Sequence, residues 1–231
     1  CGAGAEDGVI EIGPGIGVLT AELAKRTKKT VSVELDTRLI PVLAETLTDC
    51  QNTEVINADV LKTDLNALIS EHFPGMRVFV CANLPYYITS PVIMYLLESR
   101  LPIESITVMV QKEAAERLCA PVGSRGAGAI TVAVNYYAEA EHLFYVKRDS
   151  FMPSPNVDSE VIKLTVRKKP PIEVADEEFF FKVVKAAFSQ RRKTAANGLS
   201  SMLGISKNDI NEALTAAKLP SAVRAESLTM E

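Results

Sequence analysis

Three polar side chains in the first hundred residues each close a short apolar run: Glu34 in VSVELD, Asp59 in VINAD and Asn83 in VFVCAN. A fourth run, VIEIGPGIG, places Glu11 just before three alternating glycines, Gly13, Gly15 and Gly17. Carboxylates accept hydrogen bonds from ribose hydroxyls or an exocyclic amine, and glycines let a ligand lie against bare backbone amides. Glu34 follows the glycines by roughly 20 residues, the offset at which an acid meets a ribose in nucleotide-binding α/β sheets. The dinucleotide fingerprint needs a third glycine three positions after the second, and Val18 stands there instead. Taken singly, each feature also suits a plain strand-to-helix turn or a polar loop. Together they outline a nucleoside pocket without a phosphate-binding lysine. The VFVCAN run continues into Leu84, Pro85, Tyr86 and Tyr87, so an apolar strand ends in an amide, a proline and two rings.

These groups need a scaffold that brings strand ends to one edge. From Val9 to Leu118 short β-rich runs alternate with helical patterns, which predicts a doubly wound, Rossmann-like α/β sheet with right-handed crossovers. RVFVC and ITVMV are almost uniformly apolar, as strands covered on both faces should be. AITVAVNYYAEAEHLFYV and EVIKLTVRK read as additional strands. After KKPPIEVADEE the period becomes helical, and Ser206 with Asp209 resembles a capping box. The reading is therefore an α/β domain over residues 1–172 and a small all-helical domain over residues 173–231.

Composition narrows the function classes. The chain has 231 residues, is 47% apolar and carries a net charge of −4. No apolar run approaches the roughly 20 residues that span a bilayer. Four dispersed cysteines and two histidines make neither a disulfide framework nor a zinc site, and they fit a reducing cytoplasm. Acidic residues outnumber basic ones up to Val146, and the balance reverses beyond it, in VRKKP and SQRRKT. Such clusters track phosphates or simply coat a helix. A first residue Cys1 and a core strand by Val9 are read as a fragment lacking an N-terminal segment.

EIGPGIG, VELD, NADVL and NLPYYITSP resemble S-adenosylmethionine-dependent methyltransferases. With VQKEAAERL, FMPSPNVDSEVI, AFSQRRKT and RAESL, nearly the whole chain resembles the ribosomal RNA adenine dimethyltransferases that modify small-subunit rRNA. The resemblance implies that Glu11, Gly13, Gly15, Gly17, Glu34, Leu35, Asp59, Val60 and Asn83 hold S-adenosylmethionine. It implies that Asn83 and the carbonyl of Leu84 or Pro85 accept the two N–H groups of a target adenine. Tyr86 and Phe151 then stack on its two faces, and Arg191, Arg192 and Lys193 contact RNA phosphates. No metal is implied. The implied partner is small-subunit ribosomal RNA in a pre-assembled subunit, met by a cytoplasmic monomer. Two departures concern packing or RNA contacts: Ala127 replaces a usual Tyr, and Gly198 in KTAANGL replaces a common second Asn. Three alternatives remain: a large-subunit rRNA methyltransferase of the macrolide-resistance type, a DNA adenine methyltransferase, and a non-catalytic ribosome-assembly factor. RRKT and RAESL favour the first reading over the large-subunit enzyme. NLPY in place of DPPY disfavours DNA.

Overall fold

The computed structural model describes residues 1–231. One seven-stranded sheet organises the first of two compact units, which comprises Cys1–Ala115 and Ala138–Val166. Its strands are β1 (Gly8–Ile12), β2 (Lys29–Glu34), β3 (Thr53–Asn57), β4 (Val78–Asn83), β5 (Ser105–Gln111), β6 (Ala138–Val146) and β7 (Ser159–Val166). Their spatial order is β3-β2-β1-β4-β5-β7-β6. β1 pairs in parallel with β2 on one side and β4 on the other, in register Ile12 with Val33 and with Ala82. The chain winds outward from β1 to β3, then crosses back to β4. The reversal lies between β1 and β4, and crevices form outside the carboxyl ends of strands at such a point.

The helices α1 (Val18–Ala24), α2 (Ile40–Thr46), α3 (Leu65–His72) and α4 (Thr89–Glu98) fill the crossovers. Every residue of β1 is buried, as are the five residues of β4 before Asn83. This explains why those segments lack alternation: neither face of the strand meets water. The sheet is not parallel throughout. β7 runs antiparallel to both β5 and β6 because residues 147–158 return the chain directly beside β6. β6 is the outer strand, with mostly exposed side chains and a register shift between His142 and Phe144, both usual devices on an edge.

The second unit comprises Glu116–Tyr137 and Arg167–Glu231. After α5 (Lys112–Leu118) it holds α6 (Ala129–Tyr137), α7 (Glu177–Phe188), α8 (Ala195–Leu203) and α9 (Lys207–Ala216). The expectation that AITVAVNYYAEAEHLFYV is all strand is corrected here. Ala129–Tyr137 is helical, and β6 begins only at Ala138. The Thr131 hydroxyl accepts from the Gly128 amide as the helix opens, and Asn135 donates to the Thr131 carbonyl. A fully buried apolar run carries no period, so strand and helix are indistinguishable until packing decides. The Tyr136 and Tyr137 hydroxyls both donate to Glu177 at the start of α7, and the Tyr137 ring stacks on Phe181 at 5.4 Å between centroids.

The Gly198 departure has a steric cause. A Cβ there would lie 2.3 Å from the Ala186 carbonyl oxygen, so α8 approaches the backbone of α7 only because this residue has no side chain. In an exposed helix Gly→Ala gains about 1 kcal/mol. Here the obstacle is main chain, and overpacking of about 1–3 kcal/mol outweighs that gain. Gly198→Ala is therefore expected to lower the thermal midpoint, and an unchanged or raised midpoint contradicts the close approach.

Candidate functional site

A cavity of about 520 Å³ opens at the reversal point between β1 and β4. Gly13, Glu34, Leu35, Asp59 and Val60 line it, so the ends of β1, β2 and β3 deliver their predicted residues to one place. Gly13 has φ +70°, a left-handed conformation, and a Cβ there would meet nothing within 4 Å. The backbone thus faces open space. Glu34 is anchored from behind: its carboxylate accepts the Asp36 amide at 2.8 Å and the Gly15 amide at 3.4 Å, and Asn57 donates to its carbonyl. The Asp59 carboxylate accepts from the Leu61 amide, and Lys62 stands 3.5 Å away. A third acid, Asp36, lines the cavity too, but it is gripped by the Arg38 guanidinium and amide, which hold its pKa down to about 2.

A second cavity of about 280 Å³ is lined by Asn83, Tyr86 and Phe151, with Pro153 and Pro155 beside them. Leu84 and Pro85 line both cavities. The NLPYY segment is therefore a partition, with Tyr87 and Ile88 on the first side and Asn83 and Tyr86 on the second. The alternation arises because β4 ends at Asn83 and Tyr86–Ile88 forms a single 3-10 turn. The Pro85 carbonyl is occupied inside that turn, accepting from the Ile88 amide at 3.1 Å and the Thr89 hydroxyl at 3.4 Å.

Not every predicted residue lines a cavity. Glu11 is 1% exposed, and its carboxylate accepts from the Thr20 hydroxyl at 2.5 Å and the Ser32 hydroxyl at 2.8 Å. Burial pushes its pKa up, against the lowering effect of those two hydroxyls. Gly15 acts through its amide on Glu34, and Gly17 caps α1 with φ +89°. Asn83 faces the second cavity rather than the first. SQRRKT is not helical. Arg191, Arg192 and Lys193 are exposed on the connection between α7 and α8, where the Lys193 amide donates to the Gln190 carbonyl.

The family model described as "Ribosomal RNA adenine dimethylase" matches residues 4–230. The chain belongs to the ribosomal RNA adenine dimethylase family. It is 51% identical over 230 residues to "Ribosomal RNA small subunit methyltransferase A" of Geobacillus sp. (strain WCH70), covering 98% of this chain and 79% of that protein. The protein of the same name from Bacillus mycoides (strain KBAB4) is 50% identical over 232 residues, covering 99% and 80%. Among solved structures, a dimethyladenosine transferase from Plasmodium falciparum superimposes with a TM-score of 0.72 at 28% identity, covering 97% of this chain and 79% of that one. The 23S rRNA methyltransferase ErmE does so equally, with a TM-score of 0.72 at 29% identity, covering 99% and 88%. Backbone likeness alone does not separate these two.

Several lining residues of this adenine dimethylase escaped the sequence reading. Tyr87 stands 82% exposed at the rim of the first cavity, and Pro153 and Pro155 wall the second. The doubled tyrosine and the proline spacing of FMPSP were visible signals, but neither says which wall a residue faces.

Proposed function

We propose that this chain transfers methyl groups from S-adenosylmethionine to the exocyclic amine of adenines in small-subunit ribosomal RNA, giving dimethyladenosine. We further propose that it acts as a cytoplasmic monomer on a pre-assembled subunit. Residues 1–172 then carry the chemistry and residues 173–231 the RNA-contacting helices. The observation that carries the reading is the shared Leu84–Pro85 wall between two cavities. A donor held in one cavity and an acceptor base held in the other are brought next to each other at the turn that lines both. The approximately 50% identity to proteins named for the small subunit favours that substrate over the large subunit.

The residues of the first cavity fit the cofactor. Open space at Gly13 lets a ligand rest on backbone, Glu34 and Asp59 offer carboxylates to ribose hydroxyls and an adenine amine, and Val33, Leu61 and Ile88 give apolar walls. When bound, S-adenosylmethionine supplies a sulfonium-activated methyl group.

An adenine amine is a poor nucleophile because its lone pair is delocalised into the ring. Asn83 accepts one of its N–H groups through the side-chain oxygen. Of the two candidate carbonyls, Pro85 is already engaged by Ile88 and Thr89, which leaves Leu84 for the second N–H. Two fixed acceptors pyramidalise the nitrogen and aim its lone pair at the methyl carbon, an effect of orientation and preorganised polarity. The nitrogen forms a bond to the methyl carbon as the carbon–sulfur bond breaks, and its extra proton leaves to water. No side-chain base is needed, because the methylated nitrogen is strongly acidic while that proton remains. Tyr86 and Phe151 stack on the extruded base, each stacked ring worth about 1–3 kcal/mol.

Glu34→Ala is expected to weaken S-adenosylmethionine binding by about 1–3 kcal/mol, because ribose hydroxyls lose their acceptor. Calorimetric titration checks this, and parent-like affinity removes Glu34 from the site. The function itself is tested by mapping methylated adenines in ribosomal RNA from cells lacking and then regaining the gene. Small-subunit adenines should lose and recover two methyl groups. Changes confined to the large subunit overturn the substrate assignment.

A further inference from the structure

FMPSPNVDS contributes more than Phe151: its last residue touches a wall of the base cavity, and the one before it holds the turn that precedes Phe151. Ser159 is 1% exposed and opens β7, where it is paired between Gln111 and Val146, so its position is set by strands on both sides. Its hydroxyl lies 3.0 Å from that of Tyr86. Asp158 precedes it. One Asp158 carboxylate oxygen accepts from the Arg148 amide at 2.8 Å and the other from the Tyr145 hydroxyl, while its carbonyl accepts from the Lys112 amide at 3.0 Å. Arg148 opens the turn Arg148–Ser150, and its carbonyl accepts from the Phe151 amide at 3.1 Å. Adjacent residues of one strand end therefore anchor both aromatic walls, one through a side-chain hydroxyl and the other through a loop backbone.

We propose that Ser159 and Asp158 are positioning residues that set the gap between Tyr86 and Phe151. Ser159 fixes the Tyr86 ring and Asp158 closes the loop that presents Phe151. Neither touches the base. The inference rests on the reading that Tyr86 and Phe151 stack on the target adenine. A stacked base needs two faces at a fixed separation, and Tyr86 is 36% exposed, so packing encloses that residue only in part. A hydroxyl tether to a buried strand residue restrains the ring before the base arrives. The Tyr145 hydroxyl, and then the Arg148 amide, hold the pKa of the Asp158 carboxyl below its ordinary value, in keeping with its role as their acceptor.

The test is a double-mutant cycle on the full chain, read by single-turnover methyl transfer to unmodified small subunits. Tyr86→Phe and Ser159→Ala each remove one end of the same hydrogen bond. Each should slow transfer by about tenfold, the scale of one hydrogen bond. The double variant should be no slower than the slower single variant, since the interaction is lost only once. Affinity for S-adenosylmethionine and the thermal midpoint should stay parent-like, which a merely structural role would not produce. Asp158→Ala should slow transfer with the same unchanged cofactor affinity. Tyr86→Phe sits on a partly exposed ring and by itself tests the tether should Ser159→Ala fold poorly, a parent-like rate overturning it. Additive losses, or parent-like rates in both single variants, overturn the tether. Tyr86→Ala and Phe151→Ala separate the two levels of the argument. If these are slow while the single variants of the cycle are fast, only the positioning inference fails. If these too are fast, the stacking reading fails with it.

Discussion

Asn83→Ala is expected to lower single-turnover methylation by about 10²-fold or more, the scale of removing one preorganised hydrogen-bonding group from a reaction centre. Asn83 ends β4 and lines the base cavity with Tyr86 and Phe151, whereas Gly13, Glu34 and Asp59 line the neighbouring one. The substitution leaves those cofactor-side residues and the Leu84 carbonyl in place. Raising the S-adenosylmethionine concentration to saturation should therefore not restore the rate, and RNA affinity should change far less than the rate because phosphate contacts dominate it. Rescue by saturating cofactor makes Asn83 a binding residue and ends the polarisation mechanism. A parent protein that transfers no methyl to unmodified small subunits ends the enzyme reading itself and returns the assembly-factor reading.

Replacing Arg191, Arg192 and Lys193 together by Ala is expected to cut RNA affinity steeply and to flatten its salt dependence. Each lost phosphate contact reduces the slope of log K against log salt by about 0.7–0.9. The three side chains are exposed and follow α7 on a connection rather than on a helical face, so none of them is committed to covering apolar surface. They also belong to a different compact unit from the residues lining the cofactor cavity, so S-adenosylmethionine affinity should remain parent-like. Filter-binding across a salt series reads both quantities. A slope equal to the parent's means that the cluster is simply a solvated turn.

Much of the scaffold could be read from local chemistry. β4 is apolar up to Asn83 and β1 is apolar apart from Glu11 because both faces are buried, and Asn83 marks where β4 leaves the core. Glu34 ends β2 and Asp59 follows β3, and both were legible because a doubly wound sheet collects its strand ends on one edge. The N-cap at Ser206 was equally local: its hydroxyl accepts the Asp209 amide at 3.2 Å.

What remained hidden depends on distance along the chain. Ala129–Tyr137 carries the same apolar composition as a buried strand, and only its surroundings make it α6. Glu11 has the residue type and place of a ligand-binding acid, yet burial turns it toward Thr20 and Ser32. Tyr86 and Tyr87 are adjacent in sequence, but one 3-10 turn sends them to different cavities. By itself, the sequence determined the strand ends, the glycine turn and the order in which they come, because each follows from burial or backbone freedom over a few residues. Only the tertiary structure decided that Phe151 stands beside Asn83 and Tyr86, and that Ser159 tethers Tyr86 across 73 residues, because strand pairing brings together segments whose local patterns carry no record of each other.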